Sequence, residues 1–383
     1  MAKDKVLVVS YSDLKFDARV TRQLKWLEAS YDVTCICFEA NQEIKNVRWH
    51  LIDQTPLTLI RKLFLTLALL LRRYRLAYRL QYDYFKELKS FKDENFAWLI
   101  ANDAESLPLV FDLKSAKSKV LFDAHEFAPR HLEERLWWRI LFKPWHVNIC
   151  QQYIPNVNQF CTVSNGLVDE YEHMFGVKPS LITNATKYFN LSPKAVSEPI
   201  KVIHHGIVNR SRKLELMMKA VALLGDKYQL DLILMLPESA SESSRLYLDE
   251  LKALANSQPN VRILDPMLNT EIVPFINQYD IGVFLLEPIN FNYTFALPNK
   301  LFDFIQARLA IAIGPSIEMA KYVNAYDLGV VSESFEYEQF AETISSITAE
   351  KIKELKSNTH KVAMKLSEES NKEHFLHLLN SHV

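Results

Sequence analysis

Glycine is scarce in this chain, with 7 residues among 383, and the pattern G-x-G-x-x-G does not occur. Glycine-rich turns let a backbone approach the pyrophosphate of a dinucleotide, so this absence excludes the usual dinucleotide-binding fingerprint. The 4 cysteines form no C-x-x-C pair, which favours small buried side chains in a reducing compartment. The adjacent pair His204 and His205 lacks the i, i+4 spacing of helical metal ligands. We therefore expect no metal and no cofactor.

An excess of one charge is also missing, since 45 basic residues face 46 acidic ones and the formal net charge is -1. This balance argues against a general nucleic-acid binder, which needs a basic surface. The opening MAKDKVLVVSY leads into a predicted strand without a long apolar signal region. We expect a cytoplasmic protein that binds no nucleic acid.

Apolar runs of strand length alternate with stretches of helical spacing along most of the chain. The opening β-α-β pattern is formed by Val6–Ser10, Val20–Ala29 and Asp32–Phe38. Such units build parallel sheets with helices on both faces. The chain is also too long for one typical core. The sequence therefore predicts an α/β fold with two Rossmann-like domains that face each other across a cleft.

The boundary between the domains is predicted in a polar, proline-containing stretch from Thr186 to Pro199, because Lys201–His205 begins a fresh strand. We assign residues 1–190 to the first domain and residues 191–365 to the second. A final helix at about 366–383 is expected to pack back on the first domain.

The stretch from Asn292 to Gly314, NYTFALPNKLFDFIQARLAIAIG, combines a polar loop, a helix start and a buried strand. Pro298 predicts a helix that begins near Asn299 or Lys300. The free N–H groups and partial positive charge of a helix start attract a diphosphate, and Lys300 adds a full charge. Asp303 could accept hydrogen bonds from ribose hydroxyls. An ordinary capped helix is the alternative interpretation.

A second cationic segment follows Gly206, which ends a predicted strand. Its cations Arg210, Arg212 and Lys213 precede a helix and suit a diphosphate, although a solvated basic turn has the same pattern. Glu287 follows another strand and leads into Asn292 and Tyr293, so these residues are expected on the same rim.

Polar residues also follow strands of the first domain, where parallel sheets bind ligands. His125 and Glu126 come after the strand Val120–Asp123, and His125 is suited to a sugar hydroxyl or a proton transfer near neutral pH. A histidine satisfied by a loop carbonyl is the alternative. Asp103 follows a further strand and either shapes the same cleft or caps a helix.

The segment from Pro56 to Lys89 contains the apolar run Leu63–Leu71, flanked by several arginines. This run is shorter than the ~20 apolar residues that span a bilayer. A basic amphipathic helix pair suits an anionic membrane surface, and the segment around Trp137 and Trp138 is a second candidate. Helices packed on the sheet with outward-pointing arginines are the alternative.

Taken in order, several motifs resemble the GT-B retaining glycosyltransferases, in particular the large family 4 of bacterial sugar transferases. They are VLVVSYSDLKFDARVTRQLKWLEASYDVTCICF, ANDAESLP, FDAHE, TVSNGLVDEYEHMFGVKPSLITNA, HHGIVNRSRKLE and YDIGVFLLEPINFNYTFALPNKLFDFIQARLAIAIG. The resemblance covers nearly the whole chain, and the last motif is the most specific.

The resemblance implies retaining transfer of a hexose from a UDP- or GDP-sugar to a glycan or lipid-linked acceptor, without a tightly bound metal. It implies catalytic roles for His125, Arg212 and Lys300. The donor would be bound by Gly206, Arg210, Arg212, Glu287, Asn292, Tyr293, Asn299, Lys300 and Asp303. The acceptor would be bound by Asp13, Asp17, Arg19, Asp103 and Glu126. The expected setting is bacterial surface polysaccharide or glycoconjugate synthesis on the inner face of the cell membrane.

Three positions depart from the family pattern. Asp303 stands where the family usually has glutamate, and Phe295 stands where the first acidic residue of a Glu-x7-Glu pair is expected. A Gly-rich turn of the family is replaced by Pro237-Glu238-Ser239. The alternative function is therefore a catalytically silent GT-B scaffold in a membrane polysaccharide assembly complex.

Overall fold

The computed structural model describes residues 3–53, 56–82, 85–237 and 240–380. The chain divides into two compact units. The first unit comprises Met1–Thr183, Asn290–Asn292 and Lys372–Val383, and the second comprises Asn184–Ile289 and Tyr293–Asn371. The division at Thr183 lies three residues before the polar stretch in which the sequence places the boundary.

Among its described residues, the first unit contains a seven-stranded parallel sheet with the strand order β3-β2-β1-β4-β5-β6-β7. Its strands are β1 (Lys5–Val9), β2 (Asp32–Cys37), β3 (Val47–Leu51), β4 (Trp98–Asn102), β5 (Lys119–Ala124), β6 (Gln159–Thr162) and β7 (Ser180–Leu181). Its helices are α1 (Ala18–Leu27), α2 (Leu59–Leu70), α3 (Tyr74–Gln81), α4 (Phe85–Phe91), α5 (Leu107–Leu113), α6 (Leu136–Tyr153) and α7 (Asn165–Phe175).

The second unit contains, in its described part, a six-stranded parallel sheet of order β10-β9-β8-β11-β12-β13. Its strands are β8 (Ile200–Ile207), β9 (Tyr228–Met235), β10 (Val261–Leu264), β11 (Ile281–Phe284), β12 (Ala310–Ile313) and β13 (Gly329–Val331). The helices that follow α7 in the chain are α8 (Leu214–Ala222), α9 (Glu242–Asn256), α10 (Asn269–Ile276), α11 (Phe291–Thr294), α12 (Asn299–Gln306), α13 (Ile317–Ala325), α14 (Tyr337–Ser345), α15 (Ala349–Val362) and α16 (Glu368–Asn380).

Both sheets carry near-continuous apolar strands because helices cover their two faces. In β1 the residues Val6 to Val9 are fully buried, and β12 is buried along its whole length. The last helix supplies Phe375 to the core of the first unit, where its ring lies 5.4 Å from the ring of Trp26. The predicted class of two Rossmann-like parallel-sheet domains is confirmed.

The strand β3 was not predicted, because VRWHL mixes charged and apolar residues and lies at the sheet edge. Glu238 and Ser239, which replace the Gly-rich turn of the resembled family, lie outside the described residues.

Candidate functional site

Two cations converge on the backbone at Gly206, near the carboxyl end of β8. A Cβ atom added at Gly206 would lie 2.8 Å from Nζ of Lys300 and 3.6 Å from a terminal nitrogen of Arg212. The φ angle of +149° is one that side chains rarely adopt. Glycine therefore provides the room in which the two positive groups approach the main chain together.

Lys300 reaches this point from the first turn of α12, which begins at Asn299 after the N-cap Pro298, as the sequence predicts. Its side chain is buried, and Nζ lies 4.3 Å from the ring centroid of Phe284. Burial and then the charge of Arg212 hold the pKa of Lys300 well below its ordinary value, against the opposing effect of Asp303. An anion bound here would relieve both unfavourable effects.

The two adjacent histidines of β8 are buried beside these cations. His204 donates from Nδ1 to the carbonyl of Val283 at 2.9 Å. Burial and the nearby charge of Lys300 lower the pKa of both His204 and His205. Both imidazoles are therefore neutral near pH 7, and Nε2 of His205 makes no hydrogen bond among the described residues.

Asp303 lies one helical turn after Lys300 on α12. Its Oδ1 accepts a short hydrogen bond from the hydroxyl of Thr186, and its Oδ2 lies 3.5 Å from Nε2 of His205. Thr186 was not selected from the sequence, because no local pattern connects it with a helix more than one hundred residues later. The carboxylate predicted to receive ribose hydroxyls is thus fixed beside the cationic pair.

The three cations of the loop after β8 have different partners. Arg210 pairs with Glu250 at 2.7 Å and lies over the ring of Tyr247, with its guanidinium 4.6 Å from the centroid. Lys213 forms an ion pair with Glu287 at 2.5 Å. Arg212 is the cation of this loop that the structure brings to Gly206.

Two further predicted rim residues have different partners. The hydroxyl of Tyr293 lies 2.9 Å from that of Ser211, which joins Tyr293 to the loop after β8. Asn292 belongs to the first unit, where its Oδ1 accepts a hydrogen bond from the backbone N–H of Phe127 at 2.8 Å.

In the first unit, His125 follows β5 and is fixed by residues at the end of β4. Its backbone N–H donates to Oδ1 of Asp103 at 2.8 Å, and its Nδ1 lies 3.3 Å from Oδ2 of the same residue. Its Nε2 lies 3.1 Å from Oδ1 of Asn102. Asp103 adopts a φ of +59°, and desolvation raises its pKa to about 6. The imidazole is therefore held by two side chains rather than by a loop carbonyl.

A buried network lies beneath this histidine. Arg19 donates to Asp123 from Nη2 at 2.5 Å and to the carbonyl of Ile182 at 2.7 Å. Gln23 donates to Asp123 at 3.0 Å and accepts from Asn102 at the same distance. Burial favours the neutral acid, but the charge of Arg19 lowers the pKa of Asp123 below its usual value. The structure thus places Arg19 inside the unit, where it supports the strand ends.

The other acceptor candidates have mainly local partners. Asp13 accepts from the N–H of Lys15 at 2.9 Å, and Asp17 caps α1 by accepting from Val20 at 3.0 Å. Glu126 accepts a short hydrogen bond from His131, a residue that sequence reasoning missed. This bond raises the pKa of His131 to about 9.

In the described part of the chain, no group of three or more His, Cys, Asp or Glu residues is arranged to hold a metal ion. All four cysteines are buried. Every described helix falls short of the combined length and apolarity that a membrane span requires.

The fold is similar to the folds of several solved structures. HepE from Anabaena, determined with UDP and glucose, is similar over 99% of this chain and 100% of its own, with a TM-score of 0.69 and 13% identity. The chain has the GT-B fold. A glycosyltransferase from Rickettsia africae is similar over the full length of both chains, with a TM-score of 0.67 and 12% identity.

A third GT-B structure, the trehalose-6-phosphate protein of E. coli bound with UDP-2-fluoro glucose, matches 99% of each chain with a TM-score of 0.68 and 10% identity. No protein-family model and no curated protein sequence matches this GT-B chain.

Proposed function

We propose that this GT-B protein is a glycosyltransferase that takes a hexose or hexose derivative from a UDP- or GDP-sugar. The observation that carries the proposal is the pair Lys300 and Arg212 beside Gly206. Lys300 is buried and Arg212 is half-buried, and the carboxylate of Asp303 offsets only part of their combined charge, whereas a nucleoside diphosphate would neutralise both. Similar GT-B structures were determined with UDP and glucose or with UDP-2-fluoro glucose, which supports a nucleotide-sugar donor.

The chemistry that we propose is breakage of the bond between the sugar and the diphosphate. Negative charge develops on the departing diphosphate, and Lys300 and Arg212 stabilise it electrostatically. Because these protein cations supply the positive charge, the proposed reaction needs no metal. Asp303, fixed by Thr186, accepts hydrogen bonds from the ribose.

His125 is the proposed hydrogen-bonding partner of the transferred sugar. Its position is set by Asp103 and Asn102, so it loses little freedom when it binds a hydroxyl. We further propose that the sugar is transferred with retention of configuration to a glycan or lipid-linked acceptor. The proposed setting is bacterial surface polysaccharide or glycoconjugate synthesis.

An exposed apolar surface supports binding of the protein to a membrane. Helices α2, α3 and α6 carry large side chains that face water, including Leu59 at 84% exposure and Leu63 at 69%. The other members on these helices are Ile60, Phe64, Leu67, Leu70, Leu76, Leu136, Trp137 and Ile140, and Leu71 directly follows α2. An apolar surface of this extent marks an interaction site.

The charge around this surface favours anionic lipid as its partner. Residues 54–82 and 136–153 contain no Asp or Glu, whereas they contain eight Lys or Arg residues: Arg61, Lys62, Arg72, Arg73, Arg75, Arg79, Arg139 and Lys143. Basic residues near an anionic leaflet each contribute about 1 kcal/mol of binding. We infer that the protein is peripheral on the cytoplasmic face of the cell membrane.

The second candidate is a silent GT-B scaffold, favoured by Phe295 in place of the first acidic residue of the family's pair. Such a protein would keep the fold without turning over a donor.

Thermal unfolding with a panel of UDP-, GDP-, ADP-, TDP- and CMP-sugars separates these candidates, because a ligand that binds the native state raises its stability. The transferase predicts a shift with one nucleotide class in wild type and a reduced shift in Lys300→Ala. It also predicts release of free nucleotide from that donor when acceptor membranes are added. Binding without release would favour the scaffold, and no shift with any donor would contradict the donor site.

A further inference from the structure

A cavity of about 600 Å³ lies in the first unit, and none of its lining residues is among those assigned above to the donor or to the transferred sugar. It is lined by Phe38, which follows β2, and by His50 and Leu51 at the end of β3. Its volume falls within the range of about 300–1,000 Å³ that small-molecule sites occupy. Because Phe38, His50 and Leu51 lie at the carboxyl ends of β2 and β3, the cavity is on the side of the sheet where parallel strands bind ligands.

The wall of this cavity contains a buried carboxylate. Glu87 on α4 is 3% exposed, and its Oε1 lies 3.3 Å from Nε2 of His50. Its Oε2 has no hydrogen-bond partner among the described residues. The imidazole of His50 is in turn held edge-on by the ring of Phe91, with centroids 5.1 Å apart. A buried carboxylate oxygen without a donor is costly. Because Oε2 is closed off from solvent, a ligand hydroxyl reaches it only after the Glu87 side chain turns toward the cavity, and the hydrogen bond then made would be favourable.

The remaining walls suit a ring with many hydroxyls. Tyr82 lines the cavity and is fixed by stacking on Tyr11, with ring centroids 4.5 Å apart and an interplanar angle of 10°. The guanidinium of Arg61 is held by the carbonyl of Leu80 at 2.6 Å. The carboxylate of Glu87, the imidazole of His50 and the guanidinium of Arg61 are planar polar groups that pair with vicinal hydroxyls, while aromatic side chains pack against sugar C–H groups. This combination is the chemistry that recognises a carbohydrate.

Topology separates this cavity from His125. Three strand spacings of about 4.8 Å lie between β2, which leads to Phe38, and β5, which leads to His125, so the two positions are about 14 Å apart along the sheet edge. One sugar ring does not cover that distance. A ligand that reached both positions would be a chain of sugars.

We propose that the cavity lined by His50 and Glu87 is a distal subsite for one sugar ring of an oligosaccharide or glycolipid acceptor. The proposal rests on the proposed transferase function, and it adds that the acceptor is a glycan chain rather than a free monosaccharide. Arg61 belongs to α2, which also carries the exposed leucines, so a glycan bound in the cavity lies next to the surface that we assign to the membrane.

The test is binding of the full-length protein to a printed array of oligosaccharides of defined sequence. Glu87→Gln removes the carboxylate with little change in shape. Leu51→Arg fills the cavity from a position that is 53% exposed and tolerates a large side chain. Glu94→Gln, which alters a carboxylate paired with Lys5 and Arg48 elsewhere in the unit, is the matched control. The UDP-induced thermal shift is measured on every variant.

The expected result is that wild type, Glu94→Gln and Lys300→Ala bind the same glycans, whereas Glu87→Gln and Leu51→Arg lose at least about tenfold in affinity, equivalent to about 1.4 kcal/mol. Both cavity variants should keep the UDP-induced shift. Glycan binding that UDP displaces, or that both cavity variants retain, would overturn the subsite. A UDP shift in wild type without binding to any glycan would also overturn it, and would leave the donor proposal standing.

Discussion

The ammonium group of Lys300 lies 4.3 Å from the ring centroid of Phe284. The ring gives the cation a favourable contact, but it does not replace a counter-ion. Burial and the neighbouring Arg212 therefore keep the pKa of Lys300 low. An amine arranged in this way takes up a proton when an anion binds.

Gly206→Ala tests whether UDP binding needs the space that glycine leaves beside Lys300 and Arg212. The added Cβ would lie 2.8 Å from Nζ of Lys300, so the lysine must move. We expect UDP affinity to fall about tenfold or more, a loss of about 1.4 kcal/mol. Calorimetric titration with UDP measures this loss.

Gly225→Ala is the matched control for that substitution. Gly225 has a φ of +63° and open space around its Cβ position, so the variant should lose stability without losing affinity for UDP. Equal UDP affinity in Gly206→Ala and wild type would remove this position from the donor site.

His125→Ala separates sugar chemistry from nucleotide binding. We expect nucleotide release from the donor to slow by about 100-fold, which is typical for a lost proton-transfer or hydrogen-bonding group. Affinity for UDP alone should stay within about twofold, because the proposed diphosphate contacts involve other residues. The exposed His173 provides the control variant, His173→Ala. An unchanged release rate in His125→Ala would assign the chemistry to another residue.

The raised pKa of Asp103 predicts a specific dependence of stability on pH. Its folded pKa of about 6 exceeds the unfolded value of about 3.9. The folded state therefore binds more protons between these values, and stability falls as the pH rises through this window. In Asp103→Asn this decline should be smaller, because the amide does not titrate. Asparagine tolerates the positive φ, and its side-chain oxygen still accepts from the backbone N–H of His125. Urea midpoints at pH 4 and pH 7 measure the difference, and the same decline in both proteins would contradict it.

Leu63→Glu tests the membrane surface. Leu63 is 69% exposed on α2, and Leu268 is 68% exposed in the second unit, which makes Leu268→Glu a matched control. We expect Leu63→Glu to reduce binding to vesicles with 30% phosphatidylserine by about tenfold or more, since it removes apolar burial and adds repulsion. Co-sedimentation measures the bound fraction. Equal loss in both variants, or no vesicle binding by wild type, would contradict the assignment.

Local patterns in the sequence predict much of this fold. Pro298 fixes the start of α12 at Asn299, and the apolar runs at Ile281–Phe284 and Ala310–Ile313 become neighbouring strands. The polar residues at strand ends are correctly placed because parallel strands end at one edge.

The partners of those residues depend on distant parts of the chain, which local patterns do not encode. Arg210 and Arg212 look equivalent in the sequence, yet one pairs with Glu250 while the other approaches Gly206. Arg19 resembles a free loop cation until its buried partner Asp123 is known, although the two are 104 positions apart. Tertiary packing also explains the burial of Lys300.

Calorimetric titration of UDP in two buffers of different ionisation enthalpy tests most directly whether Lys300 binds a nucleoside diphosphate. Because the pKa of Lys300 is lowered by burial and rises when an anion arrives, wild type should take up protons on binding at alkaline pH. Lys300→Met should bind UDP at least about tenfold more weakly without this uptake. Without nucleotide, Lys300→Met should be about 1 kcal/mol more stable, since it removes the cost of burying an ionisable amine. Equal UDP affinity and proton uptake in both proteins would contradict the account.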